Sequence, residues 1–178
     1  MEKDLAKVLI TEEDIKAKVQ ELGKEICRDY AGQDLLVVGI LKGAIMFMSD
    51  LVRAINLPLN IDFMAVTSYG KSTESSGAVR ILKDLDSSIE GRNVLIVEDI
   101  VDTGLTLKYL TENLSARAPK SVRICTFLNK PERRKVEVDV HYTGFVIPDE
   151  FVVGYGLDFA EKYRNLPFIA VLKPEAYA

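Results

Sequence analysis

The 178-residue chain has no tryptophan, one histidine and two cysteines. The isolated His141 stands in a polar-apolar alternation over residues 136–142, so we interpret it as structural rather than as part of a zinc site or a Ser/His/Asp triad. Cys27 lies on the apolar face of a predicted helix, and Cys125 lies in a predicted strand. We expect both cysteines to be small buried residues, neither catalytic nor disulfide-bonded.

Long apolar runs are also missing. No stretch approaches the roughly 20 apolar residues that cross a bilayer, and no signal-type apolar segment follows Met1. We therefore expect a cytoplasmic protein with no membrane partner. A net charge of -4 disfavours a nucleic-acid partner, since such proteins usually present a basic face. In the one basic cluster, residues 130–135, we interpret Arg133 to Lys135 as a solvated loop.

Two nucleotide-binding motifs are absent. The chain contains no Gly-x-x-x-x-Gly-Lys-Ser/Thr loop, which argues against a Walker-type phosphate site. Gly154-Tyr155-Gly156 begins like a dinucleotide fingerprint, but Phe159 stands where the third glycine belongs. We interpret that partial match as coincidence.

Strand and helix patterns alternate through most of the chain. Thr11 caps a first helix with an apolar stripe, and further helices are predicted at 44–55 and 103–117. The predicted strands are 35–40, 61–68, 79–85, 94–97, 122–128 and 151–155. This order predicts one domain, residues 1–178, with a doubly wound, mainly parallel α/β sheet flanked by helices and a small hood subdomain formed by the terminal segments. Ligands of such sheets bind beyond the carboxyl ends of the strands.

The run from Val94 to Thr106 carries the clearest functional pattern. Four apolar residues predict a strand covered on both faces, and Glu98-Asp99 are interpreted as its end. Thr103, Gly104 and Thr106 then open a helix, whose free backbone N–H groups and positive dipole end suit a phosphate. Carboxylates would repel that phosphate unless a divalent metal or sugar hydroxyls intervened, which favours a sugar phosphate ligand. The plain alternative is a solvated acidic strand end followed by a Thr-capped helix.

Residues 98–104, Glu-Asp-Ile-Val-Asp-Thr-Gly, resemble the phosphoribosyl diphosphate loop of type I phosphoribosyltransferases, and in particular the hypoxanthine-guanine branch. Three other segments are similar to functional segments of that branch, in the same order: Leu41-Lys42-Gly43, Ser68-Tyr69-Gly70, and the run from Phe151 to Asp158 that precedes Arg164. The resemblance implies the type I fold, a homodimer or homotetramer, and transfer of a 5-phosphoribosyl group from its 1-diphosphate to hypoxanthine or guanine, giving a nucleoside monophosphate and pyrophosphate.

The same resemblance implies roles for individual residues. The donor would be bound by the loop residues Glu98, Asp99, Asp102, Thr103, Gly104, Leu105 and Thr106, with Glu98 and Asp99 on the ribose hydroxyls and the 5-phosphate on residues 103–106. Many relatives carry a polar or basic residue where this chain has Leu105. Asp102 would be the catalytic residue, taking the purine's ring proton as the new bond forms. The pyrophosphate would be bound by Lys42, Gly43, Ser68, Tyr69 and Arg164, with residues 70–77 as a lid.

The purine and the metal have their own implied residues. The purine would contact Ile100, Lys130, Phe151, Val152 and Asp158, with Phe151 stacked on the base and Lys130 donating to the six-position oxygen, which disfavours adenine. Mg²⁺ would be held by Glu98, Asp99 and Asp158. Plainer readings stay open, namely a surface salt bridge for Asp158 and Arg164 and core packing for Phe151.

Two other classes of function remain as alternatives. One is a nucleotide-sensing, RNA-binding regulator on the same fold, against which the acidic charge balance counts. The other is a phosphoryl-accepting receiver module, which would place its acid pair after the first strand rather than in mid-chain.

Overall fold

The structure is a computed structural model that describes residues 1–68 and 79–178, apart from the side chain of Ser68. The strands are β1 (Leu5–Ile10), β2 (Leu35–Leu41), β3 (Asn60–Ser68), β4 (Val79–Lys83), β5 (Asn93–Val101), β6 (Ser121–Asn129), β7 (Tyr142–Val146), β8 (Val152–Val153) and β9 (Ile169–Leu172). The helices are α1 (Glu12–Asp29), α2 (Ile45–Ala54) and α3 (Leu105–Ser115). Tyr69 and the predicted lid at residues 70–77 lie outside the described residues, as does the predicted contact of the Ser68 side chain.

The main sheet has six strands in the order β4-β3-β2-β5-β6-β7. All its neighbours pair in parallel except β3 and β4, which are antiparallel. A second sheet, β1-β9-β8, joins the two ends of the chain in antiparallel pairing. The mainly parallel α/β fold is therefore confirmed, and the terminal segments form the separate small sheet expected of a hood.

Both faces of the main sheet are covered, as its continuous apolar strands require. Leu35 and Val37 of β2 pack with α1 and α2 in one core cluster. The alternate residues Leu36 and Val38 pack with α3 in another cluster. The Thr11 hydroxyl accepts a hydrogen bond from the Asp14 N–H at 3.2 Å, so the predicted cap of α1 is present.

Three predicted strand boundaries are wrong. The strand predicted over 79–85 ends as β4 at Lys83. β5 continues four residues past Val97, because Glu98, Ile100 and Val101 pair with β6. The prediction over 151–155 holds only for β8, since Gly154, Tyr155 and Gly156 have φ of 104°, 47° and 99°, which turns the chain out of extended conformation.

The remaining structural predictions concern His141 and the cysteines. His141 Nδ1 accepts a hydrogen bond from the Ile124 N–H at 3.2 Å, which confirms a structural role. Cys125 is buried, Cys27 is partly buried, and both are free thiols. Over residues 1–68 and 79–178, no helix is both long and apolar enough to cross a membrane.

Candidate active site

Glu98 and Asp99 form the acidic part of the candidate site. Because β5 continues past them, Glu98 is buried within the sheet, with 8% of its surface exposed, and lies in register with Thr126. Burial raises the pKa of the Glu98 carboxyl well above its ordinary value, and the charge of Asp99 raises it further. Burial also raises the pKa of Asp99, against the opposing effects of its hydrogen bonds and of the Arg164 charge. Glu98 is therefore buried and Asp99 half-buried, and the two carboxyls interact rather than forming a solvated strand end.

The turn after β5 has the geometry of an anion site. Gly104 has φ of 82°, and a methyl group there would lie 2.8 Å from Val138 Cγ2, so both conformation and space call for glycine. Gly104 has no side chain to cap α3, and the Leu105 N–H donates to the Thr103 hydroxyl at a long 3.4 Å. The amino end of α3 therefore has N–H groups that a ligand can satisfy. The Thr103 carbonyl accepts from the Lys135 N–H at 2.9 Å, which anchors the turn on the loop after β6.

The acids and this turn share one small cavity. It measures about 130 Å³ and is lined by residues 98–102 together with Gly104, Thr106 and Leu107. The Asp102 side chain accepts a hydrogen bond from the Thr103 N–H at 2.6 Å, so its carboxylate is held at the mouth of the turn. Five of the seven predicted donor-binding residues therefore line one concave space, and Thr103 and Leu105 are not part of its lining.

Lys42 and Gly43 lie at the carboxyl end of β2, beside the acids. The Leu41–Lys42 peptide is cis. A methyl group at Gly43 would lie 1.8 Å from Asp99 Oδ2, so the carboxylate rests directly on this glycine. A methyl group at Gly156 would in turn lie 2.1 Å from the Gly43 carbonyl oxygen. The two glycines thus bring three distant segments of the chain into contact, through backbone atoms of Gly43 and Gly156 and the Asp99 side chain.

Arg164 completes the same side of the site. Its NH1 group donates to the Gly156 carbonyl at 2.7 Å, and its NH2 group lies 3.2 Å from Asp158 Oδ1. The predicted pair Asp158 and Arg164 is therefore in contact, within the site rather than on a remote surface. Glu161, which the sequence analysis missed, accepts hydrogen bonds from Lys42 at 3.0 Å and from Arg164 at 3.3 Å.

Lys130 lies on the opposite side of the acids, after β6. It is 9% exposed, and its ammonium group donates to the Glu150 carbonyl at 2.6 Å. Burial lowers the pKa of Lys130, while the charge of Asp149, 3.9 Å away, opposes that shift. The Lys130 ammonium group is thus largely excluded from water. Binding a ligand that offers it no hydrogen-bond acceptor would therefore cost free energy.

Phe151 follows Glu150, whose carbonyl accepts the hydrogen bond from Lys130, and it remains 38% exposed. Its ring stacks on Tyr177, with centroids 4.7 Å apart and planes 20° apart, and meets the edge of Phe159. Val152 follows in β8 and is buried against Val171 of β9. Partial exposure makes core packing an incomplete account of Phe151.

The carboxylates of the site suit a magnesium ion that takes most of its ligands from water and from a bound phosphate group. Among residues 1–68 and 79–178, no three or more His, Cys, Asp or Glu side chains are grouped to hold a metal. Mg²⁺ usually takes one or two carboxylates and completes its shell with water and substrate phosphate oxygens. Asp158, fixed by Arg164 and by the Glu161 N–H at 2.8 Å, can supply one such carboxylate.

Comparisons with known proteins agree with this geometry. The family model described as "Phosphoribosyl transferase domain" matches residues 9–160. The hypoxanthine-guanine phosphoribosyltransferase of Bacillus subtilis is 55% identical over 99% of this chain and 98% of its own length. A bifunctional TilS/HprT protein of Listeria monocytogenes is 54% identical over all of this chain, which spans only 28% of that relative.

A solved structure gives the same result. The hypoxanthine phosphoribosyltransferase of Staphylococcus aureus superposes with a TM-score of 0.98, at 57% identity, over 100% of this chain and 97% of its own. The chain therefore belongs to the phosphoribosyl transferase domain family and, within it, to the hypoxanthine-guanine phosphoribosyltransferases.

Proposed function

We propose that the protein transfers the 5-phosphoribosyl group of 5-phosphoribosyl 1-diphosphate to hypoxanthine or guanine, releasing IMP or GMP and pyrophosphate. The observation that carries this proposal is the contact of Asp99 with Gly43, in a group that also includes Gly156 and Arg164. It brings the anion-binding turn, the buried acids and the cations of the diphosphate side next to one another. A purine salvage reaction needs these groups around one anomeric carbon.

The charges of the site match the charge that develops in the reaction. As the bond to the diphosphate breaks, positive charge grows on the ribose and negative charge grows on the leaving group. Glu98 and Asp99 are assigned to the ribose hydroxyls, beside the positive carbon. Lys42 and Arg164 are assigned to the leaving pyrophosphate, where the planar guanidinium suits phosphate oxygens.

Asp102 is proposed as the base that removes the purine's ring proton. It precedes the anion-binding turn. Burial lowers the pKa of Lys130, and Asp102 is one of the carboxylates whose charge opposes that shift. Lys130 is then proposed to exchange its Glu150 carbonyl partner for the six-position oxygen of the purine. An amino group at that position would face the ammonium donor to donor, so adenine should be a poor substrate.

Phe151 and Ile100 are proposed to cover the purine, and the Val152 backbone and Asp158 to contact its edge. The anion-binding turn, from Thr103 to Thr106, would hold the 5-phosphate. Magnesium bound with the donor would neutralise part of the diphosphate charge and would be held by Asp158. The resemblance implies Glu98 and Asp99 as further ligands, but in the structure the three carboxylates are not grouped as one metal site. A homodimer or homotetramer and a cytoplasmic location stay predictions, and gel filtration of the purified protein tests the first.

The test is pyrophosphate release by purified protein with Mg²⁺, the ribosyl donor and one of four purines. We expect release with hypoxanthine or guanine and little with adenine. Asp102→Asn should lower turnover by about 100- to 10,000-fold, the usual contribution of a general base. Asp139→Asn, a change at a side chain that is 90% exposed, is the matched control and should retain full turnover. If none of the four purines supported pyrophosphate release, the proposed activity would be contradicted. Full turnover of Asp102→Asn would contradict the role of Asp102.

A further inference from the structure

Glu161 holds together the two cations assigned to the pyrophosphate. Its Oε2 accepts from Lys42 Nζ at 3.0 Å and its Oε1 accepts from Arg164 NH2 at 3.3 Å. The hydrogen bond from Lys42 holds the pKa of the Glu161 carboxyl below its ordinary value, so the group is ionised at neutral pH. One carboxylate thus bridges an ammonium and a guanidinium that are otherwise separated by more than a hundred residues of chain.

The backbone places this carboxylate at an unusual position. The N–H groups and carbonyls of Phe159 and Lys162 exchange hydrogen bonds at 3.1 and 3.0 Å, which closes a tight two-residue turn. Its central residues, Ala160 and Glu161, have φ of 51° and 62°. Such turns favour glycine, asparagine or aspartate, since other side chains are strained at positive φ. The chain therefore carries backbone strain where it presents the Glu161 side chain, a situation typical of functional sites.

The bridging contacts are easily broken. The side chains of Lys42 and Glu161 are 68% and 64% exposed, and ion pairs in such positions are weak and screened by salt. A pyrophosphate ion entering between Lys42 and Arg164 would replace the carboxylate as their partner. The displaced carboxylate would stay nearby and would repel a free pyrophosphate ion. It would repel pyrophosphate less strongly when a bound metal ion offsets the charge of the pyrophosphate.

We propose that Glu161 determines which form of the diphosphate the site accepts, by occupying Lys42 and Arg164 until a metal-bound diphosphate displaces it. This inference rests on the proposed function, because it takes Lys42 and Arg164 as pyrophosphate ligands. Glu161 is thereby a specificity-determining residue that disfavours the free anion. It does not touch the reacting carbon.

Calorimetric titration with inorganic pyrophosphate tests this role without turnover. The wild-type protein, Glu161→Gln and the exposed control Glu112→Gln are titrated with and without excess Mg²⁺. Without metal, Glu161→Gln should bind pyrophosphate about three- to tenfold more tightly than the other two. That range corresponds to the loss of one exposed ion pair, with Lys42, and one partly exposed ion pair, with Arg164. With Mg²⁺ the three affinities should agree within about twofold, and the metal-free difference should shrink at high salt.

The possible outcomes separate the role of Glu161 from the assignment of the pyrophosphate site. Equal metal-free affinities, or weaker binding by Glu161→Gln, would overturn the role of Glu161 and leave the proposed activity intact. A metal-free gain that high salt does not reduce would also overturn it, because a change of packing rather than of charge would then be responsible. No binding by the wild-type protein even with Mg²⁺ would instead contradict the assignment of the pyrophosphate site, and the inference would fall with it.

Discussion

The contact between Gly43 and Asp99 predicts the result of adding a single methyl group. In Gly43→Ala the new carbon would lie 1.8 Å from Asp99 Oδ2 and 2.7 Å from its Cγ. Real contacts of this kind do not fall below about 3 Å, so the carboxylate has to move. Gly43 itself is not among the residues with positive φ, and the substitution therefore adds crowding without backbone strain.

The cost follows from the size of the overlap. Overpacking a well-filled site costs about 1–3 kcal/mol, and 1 kcal/mol shifts Tm by about 2–4 °C for a chain of this length. We therefore expect Tm to fall by about 2–12 °C. Because Asp99 is assigned to the ribose hydroxyls, displacing it by an ångström or more should also lower turnover by about 100-fold.

A double-mutant cycle isolates the cause. Asp99→Ala removes all three atoms nearest to the added methyl group, so Gly43→Ala should cost about 1–3 kcal/mol less in that background. Gly91→Ala is the matched control, because φ there is 72° and nothing lies within 4 Å of the added carbon. Its cost, which is backbone strain of about 1–2 kcal/mol, should be equal in both backgrounds. Urea unfolding of the variants measures the free energies, and an equal cost of Gly43→Ala in both backgrounds would refute the reasoning.

Two further predictions concern Glu98 and the stacking of Tyr177 on Phe151. Because the pKa of Glu98 is raised above its ordinary value of 4.5, the carboxyl contributes stability below that pH and loses it as the pH rises through the raised value. Glu98→Gln should therefore become more stable relative to the wild type between pH 4 and pH 8 in urea unfolding, and a constant difference would contradict the burial argument. The stacking of Tyr177 on Phe151 should fix the plane of that ring. Tyr177→Ala should raise the KM for the purine about two- to tenfold, with the KM for the ribosyl donor unchanged, whereas Tyr177→Phe should behave as wild type. A rise in both KM values would show a general disturbance of the site instead.

Much of the candidate site could be predicted from the sequence because its parts are local. The anion-binding turn, Thr103 to Thr106, follows from residue types that are adjacent in the chain, and its glycine has the positive φ that such a turn needs. The prediction that the strand ends at Glu98 is wrong for an equally local reason. A charged residue after four apolar ones is typical of an exposed end, but pairing with Thr126 of β6 continues the strand. That pairing is tertiary, so no pattern within β5 reveals it.

The roles of Glu161 and Tyr177 could not be predicted, for different physical reasons. Glu161 reaches Lys42 and Arg164 only through a strained turn that its residues do not favour. Tyr177 reaches Phe151 because β9 pairs with β8, and neither β9 nor β1 was predicted. Short strands at the ends of a chain are defined by their partners rather than by their own pattern.

The burial of Glu98 changes the chemistry that the acid pair can perform. Two ionised carboxylates can only accept hydrogen bonds, and at a solvated strand end both would be ionised at neutral pH. In the structure, burial raises the pKa of each member, and the charge of Asp99 opposes ionisation of Glu98 further. A pair that resists double ionisation retains a proton more readily, and a protonated carboxyl adds one O–H donor to the acceptors of its neighbour. Two adjacent sugar hydroxyls, each both donor and acceptor, complement that set better than they complement two anions. The extension of β5 past Val97 therefore favours assigning the acids to the ribose.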